Sequence, residues 1–308
     1  MKNKSATLAV LALVGSVALI GCGSSSKSSS SVDCGNIFST DPSISTKGFV
    51  ALQDDQHLVP NEAVLPLITK DKATPEVTAV LDGISAKLDT PELTKLVAEA
   101  ITDKKAPDVV AKEFVDTLPA PAKAAAPMTI VVGSANFAEN QILAEIYGQQ
   151  LARAGFTIDK KPAIGNREVY YKAISATPAE IDLVPEYTNS VLSYVVHLKD
   201  PSASPTATNV DEQVAELKSV LPPTLTVLTP STAEDKDVIV CTKAVADKYK
   251  LTNLTDLAKV ADQITIAGPP EFETRTPFGI AGFKAKLGAT FKKFVPLQIG
   301  DIPAALSK

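Results

Sequence analysis

MTIVVGSANFAENQILAEIYGQQLARAG, residues 128–155, opens with an apolar run, turns at Gly133 and continues into a helical repeat of Ile142, Leu143, Ile146, Tyr147 and Leu151 that stops at Gly155. Asn136 and Glu139 stand three apart, the spacing of a capping box at a helix start. A strand at 128–133, a glycine turn and a capped helix are how many α/β domains begin, yet here they follow a Pro/Ala-rich stretch in the middle of the chain. The pattern continues with a strand at 156–160, a helix at 167–175 and a strand at 181–184, which predicts a parallel sheet with helical crossovers.

Toward the C-terminus the alternation persists. It predicts a helix at 210–220, strands at 226–228 and 238–242, a helix at 254–260, a strand at 264–267, a helix at 279–287, a strand at 294–297 and a truncated helix at 302–307. This reads as a second α/β unit that lacks its final strand. Toward the N-terminus, residues 32–38 lead into a turn at Ser39-Thr40-Asp41-Pro42 and an apolar strand at 49–52. Three helices follow, opened by Thr74-Pro75, Thr90-Pro91 and Ala106-Pro107-Asp108, with Val77, Val80, Leu81, Ile84 and Leu88 as the stripe of the first. One strand and three helices cannot close a sheet-based core, so this block must pack on the rest of the chain.

The first residues carry an address. Lys2 and Lys4 precede an apolar run at 6–20, too short for a stable membrane span, and Leu19-Ile20-Gly21-Cys22 resembles the lipobox of a bacterial lipoprotein. That resemblance implies a signal peptide at 1–21, lipid on Cys22, and a protein held at the extracytoplasmic face of the cell membrane. The nearly all-serine tether at 22–31 would span about 17 Å. An uncleaved anchor helix or an ordinary secretory signal would also export the chain. With no second long apolar stretch, any transport role needs partner subunits, and the net charge of −5 argues against nucleic acid. Cys34 and Cys241 are then a candidate disulfide, paired or free, in an oxidising compartment.

Three ordered motifs carry a further resemblance. Val131-Val132-Gly133-Ser134-Ala135-Asn136-Phe137-Ala138-Glu139-Asn140-Gln141, then Gly165-Asn166-Arg167-Glu168-Val169, then Ile181-Asp182-Leu183-Val184-Pro185-Glu186-Tyr187-Thr188 are similar to the opening of the glycine betaine/carnitine/choline-type substrate-binding proteins of ABC importers. Pro269-Pro270-Glu271-Phe272-Glu273-Thr274-Arg275 resembles a later motif of that family, and 38–44 and 49–55 resemble its C-terminal section. The resemblance implies a two-lobed, type II periplasmic-binding-protein-like α/β fold, here circularly permuted. Joining Lys308 to Val32 restores the family order. The implied parts are 32–45 as a strand of lobe two, 46–118 and 128–190 as lobe one, 119–127 as a linker, and 191–308 as lobe two. Hinge crossings are then expected near 45–52 and 190–194. Two fused half-proteins, or a rearranged fragment, would give the same order.

By motif matching, the resemblance places ligand contacts at Asn140, Tyr187, Ser190, Arg275 and Phe38. Tyrosine faces in this family enclose a quaternary ammonium, and an arginine fork suits a ligand carboxylate. The chain departs from that cage. It has no tryptophan, Phe38 stands where tyrosine is common, Glu62 follows Pro60 near another aromatic position, and 231–237 carries Asp235 in place of a further tyrosine. A carboxylate can pair with a cation, so Glu62 and Asp235 join the candidates. Each has a plainer reading: Tyr187 and Phe38 as core, Arg275 as a surface ion pair, Glu139 as a cap. Of the adjacent Tyr170 and Tyr171, one is expected to face inward.

His57 and His197 fall in no metal-ligand or nucleophile–base spacing, and no glycine-rich phosphate loop or Gly-x-Ser-x-Gly elbow follows a strand. No enzymatic activity, metal or cofactor is expected. The expected protein is a monomer that captures a small osmolyte and delivers it to an ABC permease and ATPase. A solute-binding surface sensor is the competing reading.

Overall fold

The computed structural model describes residues 32–307; the expected signal peptide, tether and Cys22 lie outside them. Ten strands are formed there: β1 (Cys34–Phe38), β2 (Val50–Ala51), β3 (Val64–Thr69), β4 (Thr129–Ala135), β5 (Thr157–Gly165), β6 (Leu183–Tyr187), β7 (Leu225–Val227), β8 (Asp237–Cys241), β9 (Thr265–Gly268) and β10 (Lys293–Pro296). They make two five-stranded sheets, in the orders β5-β4-β6-β3-β7 and β10-β9-β1-β8-β2.

The first sheet is mixed, not wholly parallel. β4 runs parallel to β5 and β6, whereas β3 runs antiparallel to β6 and β7. β3 is absent from the sequence expectation because Pro66 interrupts its apolar run and proline cannot donate to a ladder. The fold accommodates it by setting Pro66 opposite Pro185 of β6. Neither residue can donate, so this rung is one of the non-hydrogen-bonded pairs of an antiparallel ladder.

Alternate residues of β3 serve opposite faces. Val64 and Ile68 join a core with Leu81, Leu93, Phe114 and Ile142, supplied by the helices Pro75–Ser85, Thr90–Ile101, Pro107–Thr117 and Ala138–Ala154. The three N-terminal helices thus find the partner their sequence demanded. Thr74 and Asp89 cap the first two, each accepting from a backbone N–H three residues on. On the other face Leu65 and Leu67 pack with Tyr170, Tyr171, Val191, Leu192 and Leu217. Tyr170 and Tyr171 are therefore both buried, against expectation, because the first hydrogen-bonds under β6 and the second meets Tyr194 edge-on.

Sheet membership also departs from the expected lobe limits. Residues 188–228 do not join the second sheet: the helices Thr188–Lys199 and Val210–Val220 pack together on the first, and Val227 of β7 pairs with Leu67 of β3. Conversely, β2 pairs with β8, and Leu52 and Leu58 enter the core of the second sheet. The chain crosses between sheets at 52–63 and 228–236, where Ala63 bridges Glu234. The expected crossing at 190–194 is instead a helix, since Val191, Leu192 and Val195 need burial on one side.

β1 occupies the centre of the second sheet, parallel to β9 and antiparallel to β8. This register sets Cys34 directly opposite Cys241, and a disulfide joins them with Cα atoms 4.0 Å apart. The bond closes a loop of 207 residues, so Cys34→Ser with Cys241→Ser should lower stability by about 2–4 kcal/mol. Denaturant midpoints of the two proteins measure this, and coincident midpoints would rule it out. The last helix, Ile302–Leu306, lies flat on β1: a Cβ at Gly35 would come within 2.5 Å of Ile302 Cγ2.

Candidate functional site

The ends of β1, β4 and β6 meet the two crossing segments at one place. A row of rings runs from one sheet to the other: Phe38 at the end of β1 lies 5.6 Å from Phe137 after β4, and Phe137 lies 6.3 Å from Tyr187 at the end of β6. Glu139, in the first turn of Ala138–Ala154, points into this row. It accepts from Tyr187 Oη at 2.7 Å and stands 2.8 Å from Thr40 Oγ1. Thr40 Oγ1 in turn lies 2.9 Å from Asp235 Oδ1 in the 228–236 crossing. Glu139 is therefore not a cap. The helix begins behind Phe137 without a side-chain cap, and Glu139 is buried.

Charge in this region is mostly unpaired. Burial raises the pKa values of both Glu139 and Asp235 above the ordinary carboxylate range, and Coulomb repulsion from Glu139 adds to the rise on Asp235. Tyr187 is held protonated well above the usual tyrosine range by burial and by Glu139 beside it. Glu62, in the other crossing, accepts from the Ser190 backbone N–H at 2.8 Å, and burial pushes it up to about 7.

The Glu62 shift has a measurable sign. A folded-state value near 7 against 4.5 for the unfolded chain means that the native state binds the extra proton. The contribution is complete below about pH 4.5 and is lost as pH rises to about 7, amounting to about 3 kcal/mol. Glu62→Gln should flatten the stability profile across that window in denaturant titrations at several pH values. An unaltered slope would exclude Glu62 as its source.

The remaining sequence candidates are placed as follows. Asn140 is fully buried, accepting from Ala135 N at 2.7 Å and donating to Pro185 O at 3.0 Å, so it latches β4 to β6 beneath the ring row. Ser190 contributes its N–H to Glu62. Arg275 pairs with Asp237 of β8 at 2.7 Å and lies over the Phe272 ring. Thr40, Phe137, Arg167 and Glu186 were not singled out in the sequence. Thr40 reads as a turn residue, and Glu186 is one residue of a motif with no local signal of its own. Arg167 and Glu186 form a bidentate pair with both contacts at 3.0 Å, and Tyr170 Oη donates to Glu186 at 2.8 Å. This pair ties the helix Arg167–Ser175 to β6 just below Tyr187. Among the described residues no three His, Cys, Asp or Glu side chains converge as metal ligands, and no helix is long and apolar enough to cross a membrane.

Two segments cross between the sheets, and the ring row lies where the sheets meet. A family model for the substrate-binding domain of ABC-type glycine betaine transport systems matches residues 25–117 and 128–307. The chain belongs to this family. Its fold is accordingly the two-lobed periplasmic-binding-protein fold of type II. Such substrate-binding domains are non-enzymatic in general, act outside the cytoplasm and work with a permease and an ATPase. No match was found among curated proteins. Two solved structures are distantly similar. One is the phosphate-binding protein of a phosphate ABC transporter from Streptococcus pneumoniae TIGR4, 13% identical with a TM-score of 0.33, covering 68% of this chain and 66% of that one. The other is NikA from Brucella suis in complex with Fe(III)-EDTA, 14% identical with a TM-score of 0.33, covering 68% of this chain and 53% of that one. The chain therefore spans about two thirds and about half of their lengths.

Proposed function

We propose that this protein is a lipid-anchored, extracytoplasmic binding protein that captures a small cationic or zwitterionic osmoprotectant, of the glycine betaine, choline or carnitine class, and presents it to a permease. The observation that carries this reading is the Phe38–Phe137–Tyr187 row, which joins the two sheets and is flanked by buried carboxylates. Aromatic faces attract a cationic head by about 0.5–2 kcal/mol each. Arg275, on the second sheet, supplies a fork for a ligand carboxylate in exchange for Asp237. Closure about the crossings at 52–63 and 228–236 requires contacts that a solute makes only when both sheets engage it.

A calorimetric screen of glycine betaine, choline, carnitine, proline betaine and ectoine tests the reading. Micromolar binding by at least one compound is expected, and binding of an unrelated solute class in their place would overturn it. We further infer that the order of the chain is a circular permutation. Its support is that Val32, Phe49, Leu306 and Ser307 line one surface recess, so the two ends lie together, while the family match breaks at the Pro/Ala linker. A chain rebuilt to start at Met128, with Ser307 joined to Val32, should fold and bind as the natural order does.

A further inference from the structure

Thr40 Oγ1 stands 2.8 Å from Glu139 Oε2 and 2.9 Å from Asp235 Oδ1. A hydroxyl carries one hydrogen. It can donate to one of these oxygens, and the other contact is a hydrogen bond only when that carboxyl is itself protonated and donates to Thr40. Tyr187 cannot supply the missing hydrogen, because its own is directed at Glu139 Oε1. Both acids are buried, and among the described residues neither forms an ion pair with lysine, arginine or histidine. The titratable groups facing the pair are Tyr187 and Glu62, and neither brings positive charge. Two adjacent ionised carboxylates, desolvated and repelling, would be the costlier state. One proton therefore resides on the pair when no solute is bound.

A second observation points to what replaces it. Asp235 Oδ2 is buried and has no hydrogen-bond partner. An acceptor left so, beside the ring row, is costly unless something donates to it. We propose that Glu139 and Asp235 form a proton-exchanging receptor for a cation with N–H donors, an ammonium or guanidinium, which donates to Asp235 Oδ2 while the pair releases one proton to solvent. The cation keeps its own protons, and the net charge of the site is conserved. This rests on the cleft being the solute site. A permethylated ammonium can lie against the same rings, but it leaves Asp235 Oδ2 unpaired.

Minimal pairs differing only in methylation decide the matter: dimethylglycine against glycine betaine, and ethanolamine against choline, titrated calorimetrically in buffers of different ionisation enthalpy. The N–H members should bind at least about tenfold tighter, with release of about one proton and affinity rising up to about tenfold per pH unit below the apparent value of the pair. Asp235→Asn should abolish both the proton release and the pH slope. Equal or tighter binding of the methylated members without proton exchange overturns this inference and leaves the solute-binding reading intact. Failure of all four compounds overturns this inference, and it overturns the solute reading as well when carnitine, proline betaine and ectoine also fail to bind. A readout independent of solute is side-chain carboxyl carbon NMR of the unliganded protein: one protonated member of the pair at pH 6 supports the inference, and two ionised members refute it.

Discussion

Arg167→Met should destabilise the protein by about 3 kcal/mol, the low end of the range for removing one partner of a buried ion pair. Glu186 is fully buried, while the Arg167 side chain keeps 28% exposure, so water reaches the pair from one side and softens the loss. The stranded carboxylate keeps the Tyr170 hydroxyl at 2.8 Å and the Tyr187 N–H at 3.1 Å but loses two charge-assisted bonds. Adding Glu186→Leu to Arg167→Met removes the unpaired charge and should recover much of the stability. Chemical denaturation of the single and double variants checks this, and a double variant no more stable than Arg167→Met would show that packing, not charge, is what Arg167 provides.

Tyr187→Ala should abolish solute binding and cost about 3–5 kcal/mol as well, the usual range for truncating a buried aromatic side chain. The ring is the terminal member of the row that joins the sheets, and its hydroxyl holds Glu139 in place. Tyr187→Phe separates the two contributions. It keeps the ring and should retain most of the stability, but it frees Glu139 Oε1 and should weaken binding by about tenfold, the scale of one lost hydrogen bond to a charged group. Unchanged affinity in both variants would remove Tyr187 from the site.

Much of the architecture was legible because local physics decides it. The helices Arg167–Ser175 and Val210–Val220 fall where side-chain periodicity puts them, and Thr74 caps the helix that follows it. The motif that contains Tyr187 put that residue at the end of a strand, where the structure has it at the end of β6. Other features were hidden because a local signal opposed the tertiary outcome. Pro66 breaks the strand pattern of β3, and the facing Pro185 lets it sit in the ladder without stranding a donor. Glu139 has the spacing of a cap but is drawn inward by Tyr187, 48 residues away, and by Thr40, 99 residues away.

The sequence by itself therefore determined the family and the alternation of strand and helix, since both are written in short-range pattern and motif. Only the tertiary structure decided which sheet each segment joins, where the chain crosses between them, and that Glu139 and Asp235 share one threonine hydroxyl. The two contacts of that hydroxyl span 99 and 195 residues. No periodicity reports a partner at such a distance, because the partner is chosen by the packing of whole sheets.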